Sequence, residues 1–190
     1  MFKKILFLYF CVSITFLSSC QTDTTTSTNT TTPTQGAVEW LTIDQLPAKM
    51  QAQPRKVIVD LYTDWCGWCK KMDQNTFSDP TVAKYISENF YAVKFNAETK
   101  DNVTFNGQQY PYLENGRRGT NQLTFKLILG DIPQGASVGY PTIAFLDENS
   151  ERINAFPGYR ETPAMKTLLR YINENHYSDT DFDTFAQQNP

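Results

Sequence analysis

The segment DLYTDWCGWCKKM, Asp60 to Met72, places two cysteines two residues apart directly behind an apolar run. Such a pair could hold a metal, staple a loop, or exchange electrons with another protein. Upstream, KVIVDLY (Lys56–Tyr62) is β-branched and apolar, as a buried central strand is. Asp60 is the anomaly in it, because burying a carboxylate is costly. Downstream, a helix is expected to begin at the cysteines and to run to about Asn75. A cysteine in the first turn of a helix aims its sulfur at unpaired N–H groups and at the positive end of the dipole, which lowers its pKa. Cys66, at the strand-to-helix junction, is therefore the expected nucleophile. Cys69, one turn on, is placed to attack a mixed disulfide at Cys66. A zinc site needs four ligands, and the rest of the domain offers only His176, which reads as a residue favoured by a helix C-terminus. A staple across so short a loop constrains the unfolded chain little. Redox chemistry is favoured over both, with no metal and no cofactor.

Outward from this segment, strand and helix signals alternate. Ala37–Leu41 reads as a short strand and Thr42 as the start of a weak helix around Pro47. Asp79-Pro80 is an N-cap followed by proline at the first helical position. It launches a helix through Asn89 with Val82, Ala83 and Ile86 on one face. Phe90–Phe95 is a strand, and Asn106-Gly107 between β-formers signals a hairpin. Thr120 or Asn121 caps a helix that stops at Gly130. Thr142–Leu146 and Arg152–Phe156 flank the turn DENS as an antiparallel pair, and Thr162-Pro163 opens a final helix to about Asn175. The pattern predicts an α/β fold with a mixed central sheet flanked by helices. Residues 179–190 read as an acidic surface tail.

At the other end, Lys3 and Lys4 precede the apolar run Ile5–Leu17, which is too short to span a bilayer comfortably and sits where a secretory signal sits. Leu17-Ser18-Ser19-Cys20 resembles the lipobox of bacterial lipoproteins, in which the cysteine is lipidated and becomes the new N-terminus. An ordinary signal peptide is the plainer alternative. Residues 20–36 then comprise Cys20 and a Ser/Thr-rich tract, Gln21–Gly36, that has no apolar residue to bury and is expected to stay disordered. Such a tether reaches roughly 50 Å stretched and averages roughly 20–25 Å as a coil. Removing residues 1–19 takes two lysines and no acid from a chain of net charge −3, leaving −5. An acidic domain has no electrostatic case for nucleic acid. The remainder, about 150 residues, suits one domain.

VDLYTDWCGWCK resembles the active-site segment of the thioredoxin-like family, where a strand with a buried aspartate leads into Trp-Cys-x-x-Cys-Lys. Asp60, Trp65, Cys66, Cys69 and Lys70 match position by position. FSDPTV (Phe77–Val82) is similar to the segment after the redox helix in the thioredoxin-like domain of bacterial transmembrane disulfide reductases. VKFNAE (Val93–Glu98) is similar to the strand whose lysine faces the buried aspartate, which implies Lys94 beside Asp60. Gly139-Tyr140-Pro141-Thr142 resembles the cis-proline loop, and Gly158 the glycine after the last strand. The resemblance spans roughly Val57–Tyr177 of a domain over 37–178. It implies a thioredoxin-like fold, with the hairpin-bearing segment of about 100–129 inserted before the cis-Pro loop. It also implies that Asp60 accepts the proton of the resolving thiol and that Tyr140 and Pro141 present backbone to a partner chain. Trp65 and Trp68 would be a contact surface. The Gly67-Trp68 dipeptide departs from thioredoxin's Gly-Pro and carries no charge to stabilise a thiolate.

The expected protein is thus an extracytoplasmic thiol–disulfide oxidoreductase, a monomer lipid-anchored to a bacterial membrane through Cys20. It would reduce disulfides of partner proteins and draw electrons from a thiol donor, at a potential more negative than about −200 mV. A tethered binding or assembly module without turnover is the alternative from another class, and a disulfide oxidase or isomerase the alternative within this one.

Overall fold

The computed structural model describes residues 37–132 and 135–189. The signal, Cys20 and tether expected over residues 1–36 lie outside the described residues. In chain order the first elements are β1 (Trp40–Leu41), α1 (Leu46–Ala52), β2 (Lys56–Tyr62), α2 (Gly67–Met72), α3 (Pro80–Asn89) and β3 (Phe90–Asn96). Two hairpins follow, β4 (Val103–Phe105) with β5 (Gln108–Tyr110) and β6 (Tyr112–Asn115) with β7 (Arg118–Asn121). Then come α4 (Gln122–Leu129), β8 (Thr142–Leu146), β9 (Arg152–Pro157), α5 (Thr162–Asn173) and α6 (Phe182–Gln188).

Five strands form the central sheet in the order β1-β3-β2-β8-β9. β1, β3 and β2 run parallel, whereas β8 lies antiparallel to β2, and β9 to β8. The sheet is therefore mixed, as expected. Alternation along β2 divides the core. Ile58 joins Met72, Ile86, Phe145 and Leu168 on the face covered by α2, α3 and α5. Val57, Val59 and Leu61 join Leu46, Leu123 and Leu127 on the face covered by α1 and α4. Each large apolar side chain so buried contributes about 1.5–3 kcal/mol. Both faces are covered, which is why β2 reads as an unbroken apolar run.

Local signals act where expected at several points. Asp79 Oδ1 accepts from the N–H groups of Thr81 (2.8 Å) and Val82 (3.2 Å) to cap α3, a device worth about 1 kcal/mol. Asn106 and Gly107, at φ 49° and 75°, make the turn between β4 and β5. Positive φ at both positions matches the strand twist, which is why Asn-Gly marks such hairpins. Asn121 caps α4 through Leu123 N–H at 3.0 Å, and its amide donates to the carbonyls of Asp101 and Tyr110, each at 3.0 Å.

Four expectations need correction. The redox helix is α-helical only to Met72 and widens into a π-helical turn over Asp73–Phe77. The segment before the cis-Pro loop holds two hairpins where one was expected, the second turning at Gly116 (φ 62°). Glu161 rather than Thr162 occupies the N-cap of α5, because the Thr162 hydroxyl is turned to the carbonyl of Asn75 at 3.3 Å. The segment read as a surface tail folds as α6, with Phe185 buried and Phe182 packed against Phe156 and Tyr171. Among the described residues no helix is long and apolar enough to cross a membrane.

Candidate active site

β2, the middle strand, delivers the chain to the carboxyl end of the parallel strands, and the turn Thr63–Cys66 leads it into α2. Cys66 is the N-cap of α2, with extended backbone (φ −74°, ψ 101°), and its Sγ accepts the N–H of Cys69 at 3.1 Å. That sulfur thus lies against the first-turn amides, where negative charge on it is favoured. Cys66 and Cys69 are joined as a disulfide, S–S 2.08 Å, with the Cα atoms 5.3 Å apart. Only 5% of Cys66 and 2% of Cys69 is exposed. Gly67, the first residue of α2, has open space where a Cβ would stand, so nothing in the local packing demands glycine there.

Asp60 shares a face of β2 with Ile58, the face that α2 covers, and is wholly buried. In the parallel pairing of β2 with β3 it stands directly opposite Lys94. Lys94 Nζ lies 3.0 Å from Asp60 Oδ2. The approach is out of line for a directed hydrogen bond, so neither Asp60 oxygen makes one among the described residues. The attraction is charge to charge. Burial pushes the Asp60 carboxyl up to about 6, and the Lys94 charge only partly opposes it. For Lys94, desolvation favours the neutral amine, but the charges of Asp60 and Asp73 outweigh it and hold the ammonium above its ordinary value.

Asp73 is the partner that the sequence reading missed. It is ion-paired to Lys94 and lies four residues after Cys69, on the same helix face. The Asp60–Lys94–Asp73 set therefore sits one turn along the face that carries Cys69. The spacing Cys-x-x-Cys-x-x-x-Asp was the available signal. Trp40 and Tyr62 complete the surroundings, their ring centroids 5.0 and 5.3 Å from the Lys94 ammonium.

The Tyr140–Pro141 peptide is cis. The Pro141 carbonyl accepts the N–H of Gly158 at 2.8 Å, and the Thr142 hydroxyl donates to the Gly139 carbonyl at 2.8 Å, tying the loop to the ends of β8 and β9. The Tyr140 ring meets Trp65 edge-on with centroids 6.3 Å apart. Burial of its hydroxyl pushes the phenol up to about 12. Thr120 stands close enough to oppose this slightly but is not aligned for a directed hydrogen bond.

Trp65 and Trp68 are 51% and 57% exposed, beside the disulfide. Trp65 donates to Glu98 Oε2 at 2.9 Å and lies beneath the Arg118 guanidinium; Trp68 packs against Tyr159. Arg118, Glu98 and Tyr159 are further residues at this site that sequence reasoning did not identify. Arg118 is carried here by the second hairpin. That hairpin requires glycine at 119, where a Cβ would collide with the Leu113 carbonyl and the Tyr112 ring.

Residues 43–173 match the model of the thioredoxin-like domain family. The thiol:disulfide interchange protein DsbD of Pectobacterium atrosepticum is 32% identical over 123 residues, covering 65% of this chain and 16% of that protein. DsbD of Escherichia coli K12 is 44% identical over 48 residues, covering 25% of this chain and 8% of that protein. The chain thus spans a small part of these relatives. Among solved structures, a thioredoxin-fold protein from Helicobacter pylori aligns at TM-score 0.50 and 16% identity, covering 71% of this chain and 80% of the other. A DsbH oxidoreductase aligns at TM-score 0.50 and 14% identity, covering 76% and 90%. At these identities the two structures speak to the fold alone.

Proposed function

The chain belongs to the thioredoxin-like family, and on that premise we propose that it is an extracytoplasmic thiol–disulfide oxidoreductase that reduces disulfides in partner proteins. One observation carries the reading: Cys66 and Cys69 are bonded to each other at the start of α2, flanked by two exposed tryptophans. No further cofactor enters, because the pair itself holds and releases two electrons.

In the reduced protein, the Cys66 thiolate attacks one sulfur of a partner disulfide. A mixed disulfide forms and the other partner sulfur leaves as thiolate. The Cys69 thiol then gives its proton to Asp60 and attacks Cys66 Sγ. The Cys66–Cys69 bond closes, the mixed disulfide breaks, and the second partner sulfur leaves. Two electrons have passed to the partner, and the protein is left in the disulfide form. A thiol donor must then reduce it again. Asp60 suits the proton step because its carboxyl, pushed to about 6, can take and return a proton near neutral pH. The cis-Pro loop, beside Trp65, offers the Tyr140 backbone to the partner chain.

The direction follows from what surrounds Cys66. Gly67 and Trp68 bring no charge to the thiolate, and the exposed, solvent-screened cations of Lys71 and Arg118 are turned onto the rings of Trp68 and Trp65. The reduced form is therefore stabilised mainly by the helix end. A modestly stabilised thiolate makes a more reducing couple. Cys20 would carry lipid and hold the domain near a membrane as a monomer on the 20–36 tether. Two or three acyl chains suffice for stable anchoring where one binds marginally.

Turnover is the test. The protein with dithiothreitol as donor should reduce a disulfide-bonded protein faster than dithiothreitol alone, and Cys66→Ser should abolish the excess. A rate equal to buffer would leave a binding module in place of the enzyme. Anchoring is tested separately by the mature N-terminus, which is Cys20 on this reading; any other first residue removes the lipid anchor.

A further inference from the structure

Two cations flank the disulfide, each stacked on a tryptophan. The Arg118 guanidinium carbon is 4.2 Å from the centroid of Trp65, the residue before Cys66. Lys71 Nζ is 4.8 Å from the centroid of Trp68, the residue before Cys69, and 5.2 Å from that of Tyr159. Among the described residues neither cation has a carboxylate within ion-pair distance. Arg117 and Lys70, next to them in the chain, are exposed as well. Two carboxylates also lie beside Trp65: Glu98 accepts from Trp65 Nε1 at 2.9 Å, and Asp64 accepts from Asn96 at 3.2 Å. Both donors are neutral, so these charges are set against Arg117 and Arg118, while among the described residues no ion pair opposes Lys70 and Lys71 on the Trp68 side. A chain of net charge −3 thus presents a cation on each of the two tryptophans that precede the cysteines of the Cys66–Cys69 disulfide.

Stacking leaves the edges of the guanidinium free. An arginine held flat on a ring keeps its N–H fork available for bidentate capture of a carboxylate and has already lost much of its rotamer freedom. The ammonium of Lys71 is similarly held over two rings. Between the two stacks, exposed tryptophan faces give apolar contact to an extended chain at low entropy cost. Cations placed this way also steer an acidic partner toward the site before contact.

We propose that this face selects disulfide-bearing protein segments whose cysteines are flanked by acidic residues, with Arg118 and Lys71 each receiving a carboxylate on one side of the bond under attack. The inference rests on the exchange activity proposed above and names its substrate class; it adds no bond-making step. Arg118 belongs to the 100–129 segment, so that segment acts here as a substrate-reading device.

The test uses the reduced full chain and three peptides of equal length, each with one internal disulfide flanked by Glu, Gln or Lys. Acid-quenched samples separated by chromatography give the rate of peptide reduction. The Glu peptide should react about tenfold faster than the Lys peptide at low salt, with Gln between them and the spread shrinking in 1 M salt. Arg118→Glu combined with Lys71→Glu should invert the order. Equal rates for the three peptides, or an order unmoved by the double charge reversal, overturn the inference and leave disulfide exchange standing. Failure of the wild-type chain to reduce any of the three overturns the exchange reading itself.

Discussion

Asp60→Asn keeps the shape of the buried side chain and removes its charge, so it isolates what that charge costs. In the folded protein the carboxyl is pushed from 3.8 to about 6, chiefly by burial. At about 1.4 kcal/mol per pH unit, that shift corresponds to about 3 kcal/mol against the ionised form. The sign follows from proton binding. Between about pH 4 and 6 the folded state holds a proton that the unfolded state has released, so wild-type stability falls as pH rises through this window. Below it, acid and amide are both neutral and the two proteins should match. Above it, the variant should be more stable by about 3 kcal/mol, or about 6–12 °C in Tm for a domain of this size. Lys94 retains Asp73 as its ion-pair partner in the variant, so the loss on that side is limited.

Urea or thermal unfolding of the oxidised proteins from pH 3.5 to 8 reads this out. The stability gap should open with a midpoint between about pH 4 and 6. If Asp60 also serves as base for Cys69, the same substitution slows disulfide exchange by about 10²–10⁴-fold. Stability and rate then move in opposite directions, which a merely structural acid does not produce. A variant no more stable than wild type at pH 7.5, or a gap already present at pH 3.5, refutes the account of Asp60 as a buried charge that Lys94 only partly compensates.

Cys69→Ser removes the resolving thiol, so mixed disulfides with partners should accumulate on non-reducing gels and vanish when Cys66→Ser is added; adducts that depend on neither cysteine reverse the assignment. Redox equilibration against glutathione should give a midpoint more negative than about −200 mV, whereas a value near −120 mV, typical of a strong oxidant, leaves the site but not the direction. Asn121→Ala loses a helix cap and leaves the carbonyls of Asp101 and Tyr110 short of a donor. Urea unfolding should show a loss of about 2–4 kcal/mol; a loss under about 0.5 kcal/mol, ordinary for a surface change, sinks this role.

What was legible in the sequence is what local chemistry decides. β2 announced itself by a β-branched run that only two-sided burial explains, and Asp79-Pro80, Asn106-Gly107 and Gly130 each act through their own backbone or the next turn. The cysteine pair was legible for the same reason, since a cap and one helical turn fix both sulfurs. Thr162-Pro163 shows the limit of that logic. Its hydroxyl had a competing acceptor, the Asn75 carbonyl 87 residues away, and tertiary contact won over the local motif. The segment after Ser178 misled because acidity was weighed ahead of Phe182 and Phe185, whose spacing of three puts both rings on one helix face.

The second hairpin marks where legibility ends for the site. Asn115-Gly116 was a visible turn signal in a segment with no strong strand pattern beside it, and strand β6 is largely exposed. Even a correct reading of that turn would not have placed Arg118 on Trp65. The placement depends on β7 leading directly into α4, on Asn121 tying that junction to the Asp101 and Tyr110 carbonyls, and on Gly119 letting the Tyr112 ring close over the strand. Each is a contact between segments, so no window of sequence contains it. The redox pair is written in one short segment, while the residues that surround it come from the 100–129 segment, the cis-Pro loop and the end of β9. On the proposed reading, chemistry and selectivity therefore vary independently in this fold: substitutions at Arg118 would change which disulfide is read without touching Cys66 and Cys69.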